Sequence, residues 1–311
     1  MKKIDLKFFP GWTRKSISFT IDDGNMKWDK KFIDITRPHG IRGTFNLCRN
    51  RLPEDAELCR EFYRGYEIAN HCNYHPFALR DDVEYKYADT PFDKETADTS
   101  LLYRVRDDGY TMMYDAHRSK WVGAFSAEDY VKNAKKTTED LDEIFGKGSV
   151  RSFAWPFGPQ RSEKTKQGLI DLGIFYGIRG LNVLRENDDF RIPEDKTCWT
   201  FTTRHERLLE AAEMFEKAED NGELKCFIFG VHSADYQTYS KWDDLEEFSR
   251  KYGDRPSDYF YATVGEIFDY ERAIADAEVT DDKIVNNSSL TLYALVDGER
   301  VTVAPGATYT L

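Results

Sequence analysis

Short apolar runs alternate with amphipathic segments along most of the chain. Runs such as SISFTI and CFIFGV have the length and composition of buried strands. Between the runs, apolar residues recur three and four positions apart, as Leu208, Ala211, Ala212 and Phe215 do. This alternation predicts an α/β fold in which helices cover a mostly parallel sheet. The predicted elements are SISFTI and helix 28–37, GTFNL and 55–63, YEIAN and 127–145, SFAW and 162–172, FYGI, CWTFTT and 206–221, CFIFGV and 242–252, and YFYAT and 263–275.

Two segments interrupt this alternation. Residues 76–126 contain LLYRVRDDGYTMMYD, which is typical of two strands joined by a turn at Asp107–Gly109. At the C-terminus, LTLYALVDGERVTVAPGATYTL predicts a second hairpin that turns at Asp297 and Gly298. We therefore predict a barrel over residues 1–280 with an insert at 76–126, followed by a β appendage at 281–311.

Polar groups follow four of the predicted strands directly. In a parallel α/β barrel the carboxyl ends of the strands open on one face, so residues at these ends meet although they are distant in sequence. We expect one functional site built from Asp22 and Asp23 after SFTI, His71 and His75 after YEIAN, Pro156–Gly158 after SFAW, and His232 after CFIFGV.

The histidines of NHCNYHP suggest a metal site. On one helical turn, His71 and His75 would point the same way. With one added carboxylate they would supply three ligands and leave a position open for water and substrate, as catalytic metals require. Two histidines at this spacing also occur without a metal, and DDGN has the composition of a turn or helix cap. The shared position at strand ends favours the metal site.

Composition limits the remaining choices. A chain of 311 residues that is 40% apolar and 32% charged is typical of a globular protein. The five cysteines are odd in number and form no CxxC motif, which argues for free thiols rather than disulfides or a thiolate zinc site. A net charge of −12 disfavours nucleic acid and anionic membranes as partners. The N-terminal segment has no secretory signal pattern, so the predicted compartment is the cytoplasm.

Four motifs occur in an order that resembles a known family. TIDDG at 20–24, NHCNYHP at 70–76, FAWPFG at 153–158 and FIFGVHS at 227–233 resemble the motifs of the polysaccharide deacetylases with the NodB homology domain, carbohydrate esterase family 4. The resemblance covers about residues 15–275. It implies a distorted (β/α) barrel and a hydrolase that uses a divalent metal to remove acetyl groups from carbohydrate. The implied metal is Zn²⁺, with Co²⁺, Ni²⁺ or Mn²⁺ as alternatives.

The resemblance also implies residue roles. The implied bond is a carbon–nitrogen bond other than a peptide bond, with an N-acetyl group favoured over an O-acetyl group. Asp22 corresponds to the catalytic base and His232 to the general acid. The implied metal ligands are Asp23, His71 and His75, and the implied substrate-binding residues are Trp155, Pro156, Phe157 and Gly158, with the Phe157 N–H near the oxyanion.

The chain departs from the family pattern at two points. Ala154 occupies the place of an arginine that steadies the base in many members. Arg191, from DDFRIP, is the candidate replacement, unless it is a surface arginine. The Asp-rich motif that orients the general-acid histidine has no counterpart in YGIRGLN at 176–182. The partner of His232 is therefore not identified by the motifs.

Three functions follow from these observations. The first is deacetylation of an N-acetylated sugar, and the second is hydrolysis of a small non-sugar amide on the same metal site. The third is a carbohydrate-binding protein with a vestigial site, suggested by Ala154 and the missing Asp-rich motif. Four aromatic residues of the insert are expected either to stack on sugar rings or to pack the insert onto the barrel: Tyr103, Tyr110, Tyr114 and Trp121.

Overall fold

A parallel sheet forms the centre of the protein. The structure is a computed structural model that describes residues 2–158, 162–174, 176–179, 190–197 and 199–311. Its strands are β1 (Ile4–Phe8), β2 (Lys15–Asp23), β3 (Gly43–Leu47), β4 (Glu67–Asn70), β5 (Phe77–Ala78), β6 (Tyr103–Arg104), β7 (Thr111–Asp115), β8 (Lys120–Phe125), β9 (Ser152–Ala154), β10 (Tyr176–Arg179), β11 (Lys225–His232), β12 (Phe260–Tyr261), β13 (Glu278–Val279), β14 (Lys283–Val285), β15 (Leu292–Val296), β16 (Glu299–Val303) and β17 (Thr308–Thr310).

Seven strands form the central sheet. Their order is β10-β9-β4-β3-β2-β11, with β12 also paired to β2, and every pairing among them is parallel. Residues 202–203 run beside β11, where Thr202 N–H donates to the carbonyl of Ile228 at 2.7 Å. The predicted α/β barrel of NodB type, with an inserted hairpin region and a C-terminal β appendage, is confirmed.

Helices connect the strands. They are α1 (Met26–Thr36), α2 (Ala56–Phe62), α3 (Ala127–Phe145), α4 (Glu163–Asp171), α5 (Leu208–Lys217), α6 (Ser233–Thr238), α7 (Trp242–Tyr252) and α8 (Val264–Ala275). Side chains fix several starts: Ser126 accepts the Asp129 N–H before α3, and Thr263 forms a capping box with Glu266 before α8. Among the described residues, no helix is long and apolar enough to cross a membrane.

The sequence prediction missed one helix and misjudged another. The helix predicted at 206–221 is shorter, because a 3₁₀ turn at His205–Arg207 precedes α5. Helix α6 begins directly after His232 and was not predicted. Residues Phe175, Cys198 and 180–182, which belong to FYGI, CWTFTT and YGIRGLN, lie outside the described residues.

Strand β2 separates an apolar face from a polar one. Ile17, Phe19 and Ile21 are buried on one face, where the Phe19 ring contacts Phe32 of α1 at 4.8 Å between centroids. Because side chains alternate along a strand, Thr20 and Asp22 point the other way, into the barrel. The C-terminal end of this central strand therefore presents the Asp22 carboxylate to the interior of the barrel.

The insert and the C-terminal segment form separate small sheets. Within the insert, β6 and β7 are antiparallel about the predicted turn at Asp107–Gly109, in a sheet of order β5-β8-β7-β6. At the C-terminus, β15 and β16 pair about Asp297 and Gly298, and β1 adds to β15. The division into 1–280 and 281–311 stays a prediction, and β1 is one part of the first range that pairs with the second.

We predict that Gly43→Ala destabilises the sheet. A Cβ on Gly43 would lie 2.3 Å from the Phe19 carbonyl oxygen, which cannot retreat without breaking the pairing of β2 with β3. The free energy of unfolding, measured by urea denaturation, should fall by about 1–3 kcal/mol. An unchanged midpoint for Gly43→Ala would contradict this packing.

Candidate active site

The predicted site residues converge at the carboxyl edge of the sheet. Asp22 and Asp23 end β2, and Asp22 is paired in register with His232 at the end of β11. His71 follows β4 directly. The described structure therefore brings the predicted carboxylates and histidines together, as expected for the ends of parallel strands.

The Asp23 carboxylate is the centre of the cluster. Its Oδ1 lies 3.6 Å from Nε2 of His71 and 3.6 Å from Nε2 of His75. Its Oδ2 lies 3.8 Å from Nε2 of His232 and 2.5 Å from Nη1 of Arg51. One carboxylate thus faces three imidazoles and a guanidinium.

The hydrogen bonds at this centre leave room for a cation. His71 Nδ1 is 2.7 Å from the carbonyl oxygen of Ala154, which can only accept, so Nδ1 carries the proton. In neutral His71, Nε2 then presents a lone pair toward Asp23 Oδ1. That oxygen is buried and has no hydrogen-bond partner among the described residues. Two acceptors that face each other at 3.6 Å suit a shared metal ion.

The histidine loop is not helical, so the predicted helical turn is wrong. Cys72, Tyr74 and His75 all have positive φ, at 59°, 66° and 50°. The two imidazole rings still approach to 4.9 Å between centroids, because the loop folds back on itself. Asp23 also has a positive φ, of 86°. Each such residue costs about 1–3 kcal/mol, and strain of this kind is concentrated at functional sites.

The surroundings of Asp23 and His75 shift their pKa values toward the protonation states that bind metals. Burial tends to raise the pKa of Asp23, but His71, His232, His75 and Arg51 outweigh burial, and the net shift is downward. Burial, assisted by the neighbouring His71, lowers the pKa of His75 to about 3. Near neutral pH the cluster therefore offers an ionised carboxylate and a neutral imidazole, the forms that bind metals.

Asp22 is positioned by an asparagine on the neighbouring strand. Asn46 Nδ2 donates to Asp22 Oδ1 at 2.8 Å and to Thr20 Oγ1 at 2.7 Å. Asp22 and Asn46 are paired in register between β2 and β3. Asn46 was not singled out in the sequence, because only strand register places it beside Asp22.

Arg191, the candidate replacement for the missing family arginine, has its backbone at the other end of β11 from the Asp22 pairing, and its base-orienting role stays a prediction. Arg191 pairs with Lys225 at the start of β11, whereas Asp22 pairs with His232 at the end of the same strand. The arginine that does reach the aspartate pair is Arg51, from a 3₁₀ turn at Arg49–Arg51, and its contact is with Asp23.

His232 is hydrogen-bonded to an aspartate in α6, the helix that the sequence did not predict. Its Nδ1 is 3.0 Å from Oδ2 of Asp235, in the first turn of α6. Burial opposes the imidazolium, but the Asp235 hydrogen bond and the charges of Asp22 and Asp23 outweigh burial and raise the pKa of His232. The sequence signal was the spacing of three residues in HSAD, which becomes a contact only once a helix follows the histidine.

A buried aspartate lies beneath the site. Ser233 Oγ donates to Asp29 Oδ1 at 2.6 Å, and the Tyr63 hydroxyl donates to Oδ2 at 2.7 Å. Burial raises the pKa of Asp29 to about 7, although both hydrogen bonds act in the opposite direction. This network ties α1 and α2 to the residue that follows His232, and sequence reasoning missed it.

The third motif contributes one ring to the site mouth. Trp155 is 3% exposed and packs on Tyr130 and Phe153, and its predicted part in substrate binding stays a prediction. Pro156 is buried as well, and Gly158 is partly exposed. Phe157 is half-buried with its ring 4.4 Å from that of His75. The predicted part of the Phe157 N–H in binding the oxyanion stays a prediction.

The insert packs through its aromatic residues. Tyr103 and Tyr114 both contact Trp121, at 5.7 and 5.5 Å between centroids, and Tyr110 packs on Phe125. Trp121 and Phe125 belong to β8 of the insert, so these contacts hold the insert's own strands together, and the alternatives of sugar stacking and packing onto the barrel stay predictions. At the mouth, the insert places the Arg118 guanidinium 5.1 Å from the Phe157 ring centroid.

Comparison with known families settles the relationship. The sequence model of the polysaccharide deacetylase family matches residues 11–177, more than half of the chain. The chain belongs to the polysaccharide deacetylase family. No curated protein matches this deacetylase-family chain.

Several solved structures are similar to this member of the polysaccharide deacetylase family. The Xyl-CE4 domain of a multidomain xylanase from the hindgut metagenome of Trinervitermes trinervoides is 17% identical, with 84% of this chain and 92% of that one covered and a TM-score of 0.46. The chitin deacetylase of Colletotrichum lindemuthianum is 14% identical, with coverages of 80% and 85% and a TM-score of 0.43. A CE4 esterase of Streptococcus mutans is 14% identical, with coverages of 80% and 86% and a TM-score of 0.47.

We predict that Asp235→Asn lowers the pKa of His232. The variant removes the hydrogen-bonded carboxylate that favours the imidazolium. The pKa is measured from the ring proton signals of His232 by NMR in metal-free protein, with the signals of His39, which pairs with Asp254, as an internal reference. An unchanged His232 titration midpoint would show that Asp235 does not control this histidine.

We predict that Asp29→Asn changes the pH dependence of stability. Between about pH 4 and 7, Asp29 ionises in the unfolded chain but keeps its proton in the folded one, so the wild type loses stability as pH rises. Asparagine does not titrate. The free energy of unfolding of the variant, relative to wild type, should therefore increase from pH 4 to pH 7 in urea denaturation. A pH-independent difference would contradict the raised pKa.

Proposed function

We propose that this chain is a metal-dependent hydrolase that removes the acetyl group from an N-acetylated carbohydrate. The observation that carries the proposal is the buried Asp23 Oδ1, which has no hydrogen-bond partner among the described residues and lies between two imidazoles. Asp22, next to it, has its own orienting donor in Asn46. Family membership supports the reaction class.

The donor set fits a divalent cation. Asp23, His71 and His75 would hold it, and two nitrogens with one carboxylate oxygen match the ligands that Zn²⁺ prefers in catalytic sites. When bound, such an ion polarises the acetyl carbonyl and lowers the pKa of a coordinated water. The hydrogen bond from His71 Nδ1 to Ala154 keeps Nε2 available for this purpose.

Asp22 is suited to act as the base. Its Oδ1 is held by Asn46 at 2.8 Å, and its Oδ2 lies 3.9 Å from Nε2 of His71. An aspartate fixed beside the attacking water takes its proton as the carbon–oxygen bond forms. The two adjacent aspartates therefore have different tasks: Asp23 binds the ion and Asp22 accepts a proton.

His232 is suited to act as the acid. Its Nδ1 is engaged by Asp235, so Nε2, which lies 3.8 Å from Asp23 Oδ2, is the nitrogen that faces the cluster. The raised pKa of His232 favours the imidazolium. An amine leaves poorly unless it is protonated, and Nε2–H supplies this proton as the carbon–nitrogen bond breaks.

We predict that Asp22→Asn separates catalysis from metal binding. Acetate release from N-acetylglucosamine oligomers should fall by about 10²–10⁴-fold, because the base is lost, while zinc binding by calorimetry is retained. Asp23→Ala should lose both, because the ligand is removed. Asp107→Asn is the matched control, since it alters the first aspartate of the exposed second DDG. Full activity of either Asp22→Asn or Asp23→Ala would refute the proposal.

The same assay decides between substrate classes. The wild type should release acetate from the oligomers faster than it hydrolyses small non-sugar amides. If the chain hydrolyses only small amides, the proposed metal chemistry stands and the proposed substrate class is wrong. Sugar binding without any acetate release would indicate a binding protein.

A further inference from the structure

We propose that Cys48 is a fourth protein donor to the metal ion, through its Sγ atom. This inference rests on the proposed function, since it concerns the same ion. It adds a thiolate to the donors Asp23, His71 and His75, which the motifs of the chain already indicate.

The fold brings Cys48 to the site through strand register. Cys48 directly follows β3, whose last residue, Leu47, is paired with both Asp23 and Asn70. One ligand atom each of Asp23, Cys48 and His71 lies within 4.8 Å of the other two. Cys48 is 0% exposed, and its Sγ–H donates to the His71 carbonyl oxygen at 3.3 Å. The buried thiol therefore lies beside Asp23 and His71.

Burial and the charge of Asp23 raise the pKa of the Cys48 thiol, so Cys48 is protonated in the metal-free chain and only a bound cation would favour the thiolate. Asp22, Asp23 and Arg51 together carry one net negative charge, and His232 with Asp235 forms a neutral pair when the imidazole is protonated. A divalent cation would leave one net positive charge in this largely buried place. On binding, the Cys48 S–H bond breaks, its proton passes to solvent and a sulfur–metal bond forms, which makes the cluster neutral. A neutral cluster is easier to bury than a charged one.

The other described cysteines have different surroundings. Cys72 packs in the apolar cluster that contains Tyr130 and Phe153. Cys59 Sγ donates to the carbonyl of Pro53 and Cys226 Sγ to that of Arg191, each at 3.8 Å. Cys226 is paired with Ser16 at the start of β11, the strand end remote from His232. Cys226 is therefore a matched control: a buried thiol bonded to a carbonyl, outside the cluster.

A sulfur donor predicts the metal preference. Soft thiolate ligands favour Zn²⁺ and Co²⁺ over Mg²⁺, which prefers oxygen ligands. With four protein donors, the coordinated water or the acetyl oxygen would enter as a fifth ligand, an expansion that zinc sites permit. Cys48 needs no CxxC motif, because the fold, not local spacing, brings its co-ligands to it.

The test uses Co²⁺ as a spectroscopic probe on the metal-free full chain. A thiolate ligand gives a near-ultraviolet sulfur-to-cobalt charge-transfer band, whereas nitrogen and oxygen ligands alone give only the visible d–d bands. We expect both features in the wild type and in Cys226→Ser. Cys48→Ser and Cys48→Ala should keep the visible bands and lose the near-ultraviolet band. Zinc affinity of both Cys48 variants should fall by about 10-fold or more.

Each outcome has a distinct meaning. Visible bands without a charge-transfer band in the wild type would overturn the Cys48 inference and leave the proposed function intact. A charge-transfer band that persists in both Cys48 variants would overturn it as well. Absence of any cobalt spectrum would overturn both the inference and the metal site. Because the wild-type spectrum alone can refute the inference, the test does not depend on the folding of a variant.

Discussion

The candidate site depends on one buried carboxylate. Asp23 ends the central strand with one oxygen that has no donor among the described residues and another that is paired with Arg51. An ionised carboxylate is expensive to bury unless positive charge or donors compensate it. The imidazoles of His71 and His75 face it with 3.6 Å separations, too long for a direct hydrogen bond and suited to an intervening ion.

Packing contacts hold the strained backbone of the site residues in place. Asp23, His75 and Phe157 all have positive φ, which side chains other than glycine rarely adopt. Contacts over-determine these residues: the Phe157 ring packs on His75 and Phe77, and His71 is anchored to the Ala154 carbonyl. Strained residues that are fixed by packing keep their geometry when substrate arrives, which favours a preorganised site.

The sequence was sufficient to identify the site residues at strand ends. It was insufficient to identify the residues that hold them in place through hydrogen bonds. Asp22, His71 and His232 could be found because polar residues that follow apolar runs are recognisable in the sequence itself. Asn46 and Asp235 could not, because one depends on strand register and the other on a helix whose start was not recognised. The sequence also did not show that Trp155 is packed against α3 or that Arg191 lies beside the start of β11, because both are three-dimensional properties.

The most direct test of the central claim is a crystal structure of the zinc-loaded chain with anomalous diffraction recorded at the zinc absorption edge. The account predicts one strong anomalous peak within bonding distance of Asp23, His71 and His75, with Asp22 beside it and outside the ligand set. A zinc-loaded crystal whose anomalous peaks all lie elsewhere, with Asp23 bonded only to protein donors, would contradict the account.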